Sequence, residues 1–239
     1  MDFAIKLIVA FLVGFAPVFI WLWFWDHEDK HPEPKKLVIL AFIGGIVSVL
    51  FALLFENYAC IYLAQGINGC NVPVEPTPII VVWAIIEELL KFIAAYVFVL
   101  RRTENHEPID SMMYMITVAL GFSAMENALF IFWLAPTSVS YGIQAIIVGN
   151  MRFVGATLLH TMASSMVGFA MALSFYKSKV VKRIYLFIGL VTAVILHIFF
   201  NLSIIHYEGS RPLIPLFGVW ISVVAILLVF EKVKRIKKY

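Results

Sequence analysis

Seven apolar runs, each near the length of a bilayer crossing and joined by short polar stretches, leave this chain few architectures to adopt. At about 20 apolar residues per crossing, they read Ile5–Trp25, Leu37–Phe55, Ile79–Leu100, Met112–Leu134, Ile143–Phe175, Ile184–Ile205 and Leu213–Phe230. With 62% hydrophobic and 14% charged residues, the chain lacks the polar surface that a water-soluble domain requires. Membrane barrels show ~10-residue segments of alternating polarity, and the sequence has none. The expectation is an all-α, polytopic membrane protein with about seven transmembrane helices in a single bundle. Residues 1–239 would form one integral-membrane domain, with a basic tail at 231–239. The fifth run is overlong, so it is expected to begin with an interfacial stretch or to run strongly tilted. The first is too long for a signal peptide and ends in Trp21, Trp23 and Trp25 without a small-residue cleavage site. Those tryptophans suit an interfacial anchor, and the segment reads as a retained span.

Lysine and arginine placement orients such a bundle. Of 18 such residues, 14 fall in the first, third and fifth loops and the tail. Lys6 and Arg211 lie in the opposite compartment, and Lys91 and Arg152 lie within spans. The amino terminus is therefore expected outside the cell membrane and the carboxyl terminus in the cytoplasm. The net charge of +3 comes from the basic loops and from the tail around Lys232, Lys234 and Arg235. It implies anionic lipid headgroups rather than nucleic acid. Cys60 and Cys70 both fall around the second loop on the expected outer side, where a disulfide is permitted; free thiols are the alternative. The first loop, Asp26 to Pro34, is acidic and proline-bearing, as a rigid turn would be. The second, Gly66 to Pro78, either covers part of a site opening outward or is a passive connector.

Polar residues inside the apolar runs are costly. Glu87 and Glu88 stand side by side in the third span, where one carboxylate costs roughly 2–3 kcal/mol on insertion scales. Two cost more, since like charges resist ionising together. Lys91 follows Glu87 in the favourable order for a helical ion pair. That pair leaves Glu88, about 100° around the helix, unexplained. Span four carries Glu126 beside Asn127. Span five carries Arg152 and His160, eight residues apart and so on neighbouring faces. Span six carries His197 and Asn201, whose spacing projects both from one face. Depth ties the set together: Glu87, Glu126 and His197 each lie roughly 12 Å below the outer surface at the helical rise. His160 falls nearer the midplane. Acid, amide and imidazole groups from four helices can thus meet in one buried, water-accessible layer.

No nucleophile elbow, glycine-rich phosphate loop or His-Glu-x-x-His motif is present. What remains is water activated by carboxylate and histidine, with a second histidine and an amide for an oxyanion. Hydrolysis of a carbonyl compound within the bilayer is the matching reaction class. The ordered set Glu87-Glu88-x-x-Lys91, Gly121-Phe122-x-x-x-Glu126-Asn127, His160 and His197-x-x-x-Asn201 resembles the PrsW family of intramembrane proteases. Glu33-Pro34 before the second span also looks like that family, whose relatives are the CAAX prenyl-proteases and bacteriocin-processing membrane enzymes. The resemblance implies an endopeptidase that cuts a single-span membrane protein near the extracytoplasmic face. In that family the substrate class is anti-sigma factors, cut at the first of two sites. Carried onto this chain, it implies that Glu87 and Glu88 activate water, His160 assists, and His197 with Asn201 holds the oxyanion. The CAAX relatives have a histidine where this chain has Glu126, which leaves Glu126 to position a histidine, supply a proton or bind a metal.

Two versions of the chemistry are open. A metal-free site, with no cofactor, is favoured by Asn201, a poor zinc ligand but a good oxyanion donor. A zinc site would use His160, His197 and one or two of the glutamates. A different class of function is a proton- or ion-coupled transporter with the carboxylates as a relay. It needs a polar path to both faces, whereas the inner halves of spans three, four and six are nearly all apolar, Lys91 and Thr117 excepted.

Overall fold

A computed structural model of the chain describes residues 3–29, 31–63, 77–134, 141–207 and 213–236. These form eight α-helices and, among the described residues, no strand: α1 (Phe3–Glu28), α2 (Lys35–Leu63), α3 (Thr77–Ala95), α4 (Pro108–Leu134), α5 (Tyr141–Arg152), α6 (Leu158–Leu173), α7 (Lys179–Tyr207) and α8 (Leu213–Val233). Two π-helical turns interrupt the regular pitch. Tyr96–Leu100 ends α3, and Phe153–Thr157 joins α5 to α6 with helical backbone on both sides. The overlong fifth run is thus one helix with a wide turn in it. Against about seven spans expected, five helices among the described residues are long and apolar enough to cross a membrane: α1, α2, α4, α7 and the segment Val154–Leu173. α3 differs from them in carrying Glu87, Glu88 and Lys91 in only 19 residues.

α4 is the axle of the bundle. Every residue from Pro108 to Ala124 is buried, enclosed by α1, α2 and α6. The outer helices turn bulky apolar side chains away from it, among them Ile8, Leu12, Leu54, Phe187 and Phe199. Such faces belong in hydrocarbon, where they carry no penalty. The protein is a multi-pass membrane protein. The expected tryptophan anchor is divided: Trp23 is exposed, while Trp25 is buried and its ring packs 5.3 Å from that of Phe230 on α8.

Glycine sets the closest crossing. A Cβ on Gly45 of α2 would run into the carbonyl oxygen of Val118, and one on Gly121 of α4 into that of Phe42. The two backbones touch where each helix offers the other no side chain, the usual means of close approach between membrane helices. Gly121→Val is therefore expected to lower stability by about 2–3 kcal/mol, read as a shifted denaturation midpoint in detergent. An unchanged midpoint would show that the crossing can open at no cost.

Three contacts place the first loop, the start of α4 and the end of α8 on one face of the bundle. The Tyr114 hydroxyl donates to Glu33, His31 lies 3.5 Å from Glu107, and Lys234 lies 3.3 Å from Glu28. Burial, opposed by the Tyr114 bond and reinforced by Asp110, pushes Glu33 up to about 8. Near neutrality this side chain is therefore largely protonated, and it adds little charge at the entry to α2. At the other end of α2, Cys60 is disulfide-bonded. Cys70, most of the second loop, Arg211 and the tail residues Lys237 and Lys238 lie outside the described residues.

Candidate active site

Four helices deliver the polar side chains to one place, and α3 supplies the densest part. Glu88 and Lys91 are fully buried and Glu87 nearly so. The Lys91 ammonium donates to Glu88 Oε1 at 2.8 Å and to Glu87 Oε2 at 3.4 Å. It also sits 4.2 Å from the centre of the Phe122 ring, a favourable cation–π distance. Lys91 therefore serves both acids, and the nearer is Glu88, the one that an ion pair four residues apart leaves out. Burial of two carboxylates is tolerable here because their counter-charge is built in.

The histidines take up the remaining valences in a definite order. Lys91 has no lone pair, so it donates to His160 Nδ1 at 2.7 Å, and His160 Nε2 must carry the ring proton that is given to Glu126 Oε2 at 2.8 Å. His197 meets Glu88 Oε1 through Nδ1 at 2.9 Å, which leaves its Nε2 lone pair facing Glu87, 4.0 Å away. The two imidazoles stand edge to face with centroids 5.1 Å apart. Ser164 donates to the second oxygen of Glu88 at 3.5 Å. Glu88 is thus committed on both oxygens, whereas Glu87 borders a cavity.

Glu126 is the most exposed acid of the centre, with 30% of its side chain accessible. Its other oxygen takes Arg152 Nη2 at 2.9 Å. Arg152 is held in turn by Asn127 Oδ1 at 2.7 Å and by the face of Phe130. Asn127 and Ser123 bond to Thr157 at 2.9 and 2.8 Å, tying α4 to the π turn. That turn explains how Arg152 and His160 both reach Glu126. Eight residues of regular helix would set them about 80° apart, but the extra residue taken up by a π turn brings the difference to about 20°. Neighbouring faces become one face.

A cavity of about 320 Å³ opens beside the centre between α2 and α4. Glu87, Glu126 and Phe122 line its inner side, and Glu56 of α2 lines it with Val49, Ala52 and Leu53. Of the residues expected from sequence, Glu87, Glu88, Glu126, His160 and His197 come together. Asn201 stands one turn beyond His197, partly buried and with no hydrogen bond to a described residue. Sequence reasoning left Glu56 out, since it falls one residue past the end assigned to the second span. The signal was available: a carboxylate between Phe55 and Asn57 on the same apolar helix.

The donor set suits a metal ion. Ligand atoms of Glu87, His160 and His197 lie within 4.8 Å of one another, a His₂Glu set of the kind zinc uses in catalytic sites. The far nitrogen of each histidine is already bonded to a carboxylate, Glu126 or Glu88, the outer-shell pattern that orients metal-binding imidazoles. Loading the site would require Lys91 to leave His160 Nδ1.

The arrangement defines a class: an integral-membrane helical bundle with an acid–imidazole centre sunk among its helices. The family model described as "PrsW family intramembrane metalloprotease" matches residues 33–229, and the chain belongs to that family. Proteins called Protease PrsW are similar to it. The one from Geobacillus kaustophilus is 31% identical over 119 residues, 49% of this chain and 50% of the relative. Those from Shouchella clausii and Clostridioides difficile are each 24% identical, over 81% and 84% of this chain and 80% and 81% of the relatives. In the Geobacillus comparison, then, the chain spans about half the length of its relative. No solved structure matches the chain.

Proposed function

We propose that the protein is an intramembrane endopeptidase that hydrolyses a peptide bond in a membrane-anchored, single-span protein, an anti-sigma factor by analogy with its family. The observation that carries this reading is the meeting of Glu87, His160 and His197 at a cavity inside a membrane bundle. Glu87, His160 and His197 would hold zinc, which would supply a Lewis acid for the scissile carbonyl and for water. Glu126 fixes the proton on His160 Nε2 and Glu88 fixes the proton on His197 Nδ1, so that each ring turns a lone pair toward the centre. Glu126, paired with Arg152, also lines the cavity, where it would accept a proton from the attacking water. The amide of Asn201, which bonds to no described residue, would donate to the oxyanion.

The shared face that holds the first loop, the start of α4 and the end of α8 bears most of the basic residues and is cytoplasmic by the positive-inside rule. The amino terminus then lies outside, as does the disulfide at Cys60, in a compartment that permits one. Water reaches the centre from that side. The test is metal analysis of detergent-purified protein together with co-expression of tagged single-span proteins. Stoichiometric zinc, cleavage that chelation abolishes, and a cut near the outer end of the substrate helix are expected. A metal-free protein that still cleaves would move the base to Glu87 and remove the zinc. A cut in the cytoplasmic half would overturn the placement of the site.

A further inference from the structure

Glu56 is the acid the chemistry does not use. Glu87 has Lys91, and Glu126 has Arg152 and His160. The Glu56 carboxylate has no hydrogen bond or ion pair with any described residue, although it lines the same cavity. Its backbone is held: the Trp83 indole donates to the Glu56 carbonyl at 3.2 Å, pinning this turn of α2 against α3. A carboxylate set into an apolar wall without a counter-charge is costly. A metal ion is not the missing partner, because the group of ligands close enough to share one, among the described residues, is Glu87, His160 and His197 without Glu56.

The cavity sets an apolar wall beside an acid. Val49, Ala52 and Leu53 can take a methylene stem, and Glu56 waits beside them for the charged head. Glu87 and Glu126 line the same cavity but are matched by Lys91 and Arg152, so Glu56 is the acid there left to meet an incoming cation. We infer that Glu56 is a specificity residue that receives a lysine or arginine side chain of the substrate within a few residues of the scissile bond. This rests on the protease reading and names its substrate class: single-span proteins with a basic residue at the outer end of the membrane helix. Lysine and arginine are scarce on that side of membrane proteins, so one basic residue there separates a substrate from most of its neighbours.

The experiment is a library of single-span helices, each followed on the outer side by ten randomised residues (~10 to cover the cleft and its flanks), co-expressed with the full-length protein. Sequencing of the cut fragments is expected to show lysine and arginine enriched about tenfold over glutamine and methionine at one position near the cut. In Glu56→Gln the enrichment should fall below about twofold, and in Glu56→Lys it should pass to aspartate and glutamate at that position. Cleavage by wild type without basic enrichment overturns the inference and leaves the protease reading standing. So does enrichment that persists in Glu56→Gln. Loss of all cutting by folded Glu56→Gln also overturns it, since Glu56 would then belong to the chemistry. No cutting of any library member by wild type overturns both.

Discussion

Replacing His160 or His197 by alanine, or Glu87 by glutamine, is expected to lower peptide-bond hydrolysis on the order of 10³-fold or more and to abolish zinc binding at the proposed centre. These three side chains supply the converging ligand atoms, and no other described residue stands ready to replace them. Glu88→Gln and Glu126→Gln act on the histidines and not as ligands, and should weaken metal affinity about 10–100-fold; Glu126→Gln also removes the proposed proton acceptor and should cost turnover beyond its effect on the metal. Titration with zinc against a competing chelator separates the two groups without relying on turnover. If all five variants lose metal equally, the division into ligands and orienting acids is wrong. If none does, the metal belongs elsewhere.

The second large effect concerns Lys91. In metal-free protein, Lys91→Met leaves Glu87 and Glu88 buried beside two imidazoles with no ammonium, and a loss of about 3–5 kcal/mol of stability is expected. The double variant Lys91→Met/Glu88→Gln should recover part of it, because the stranded charge goes with its partner. Zinc should rescue the single variant more than it stabilises wild type, since His160 Nδ1 is then vacant for it. Denaturation in detergent, with and without zinc, reads all three. A single variant as stable as wild type without metal would show that the ammonium is not the counter-ion of the site.

Much of this was legible in the chain. Apolar length marked the helices, because hydrocarbon thickness imposes it. The shared depth of Glu87, Glu126 and His197 marked the layer, because helical rise is nearly constant. Partnership was less legible. Lys91 reaching Glu88 more closely than Glu87 depends on side-chain rotamers and on His160 arriving from α6. The common face of Arg152 and His160 depends on a π turn, and the period of 3.6 residues used to read faces does not apply across one. Glu56 was hidden by a boundary drawn one residue short, at the place where helix ends are hardest to read.

The wide turn at Phe153–Thr157 has a consequence for how this protein tolerates change in length. In a regular membrane helix, losing one residue shortens the span by about 1.5 Å and turns the segments on either side of the gap by about 100° relative to each other. A π turn already carries one residue more than the regular pitch needs. Losing one residue from it would restore that pitch and leave Arg152 and His160 seven positions apart, still within about 20° of one face. Both would keep their hold on Glu126. A one-codon deletion at this turn is thus a trim the centre can absorb, whereas the same gap two turns away, in regular helix, would swing part of the span off its partners.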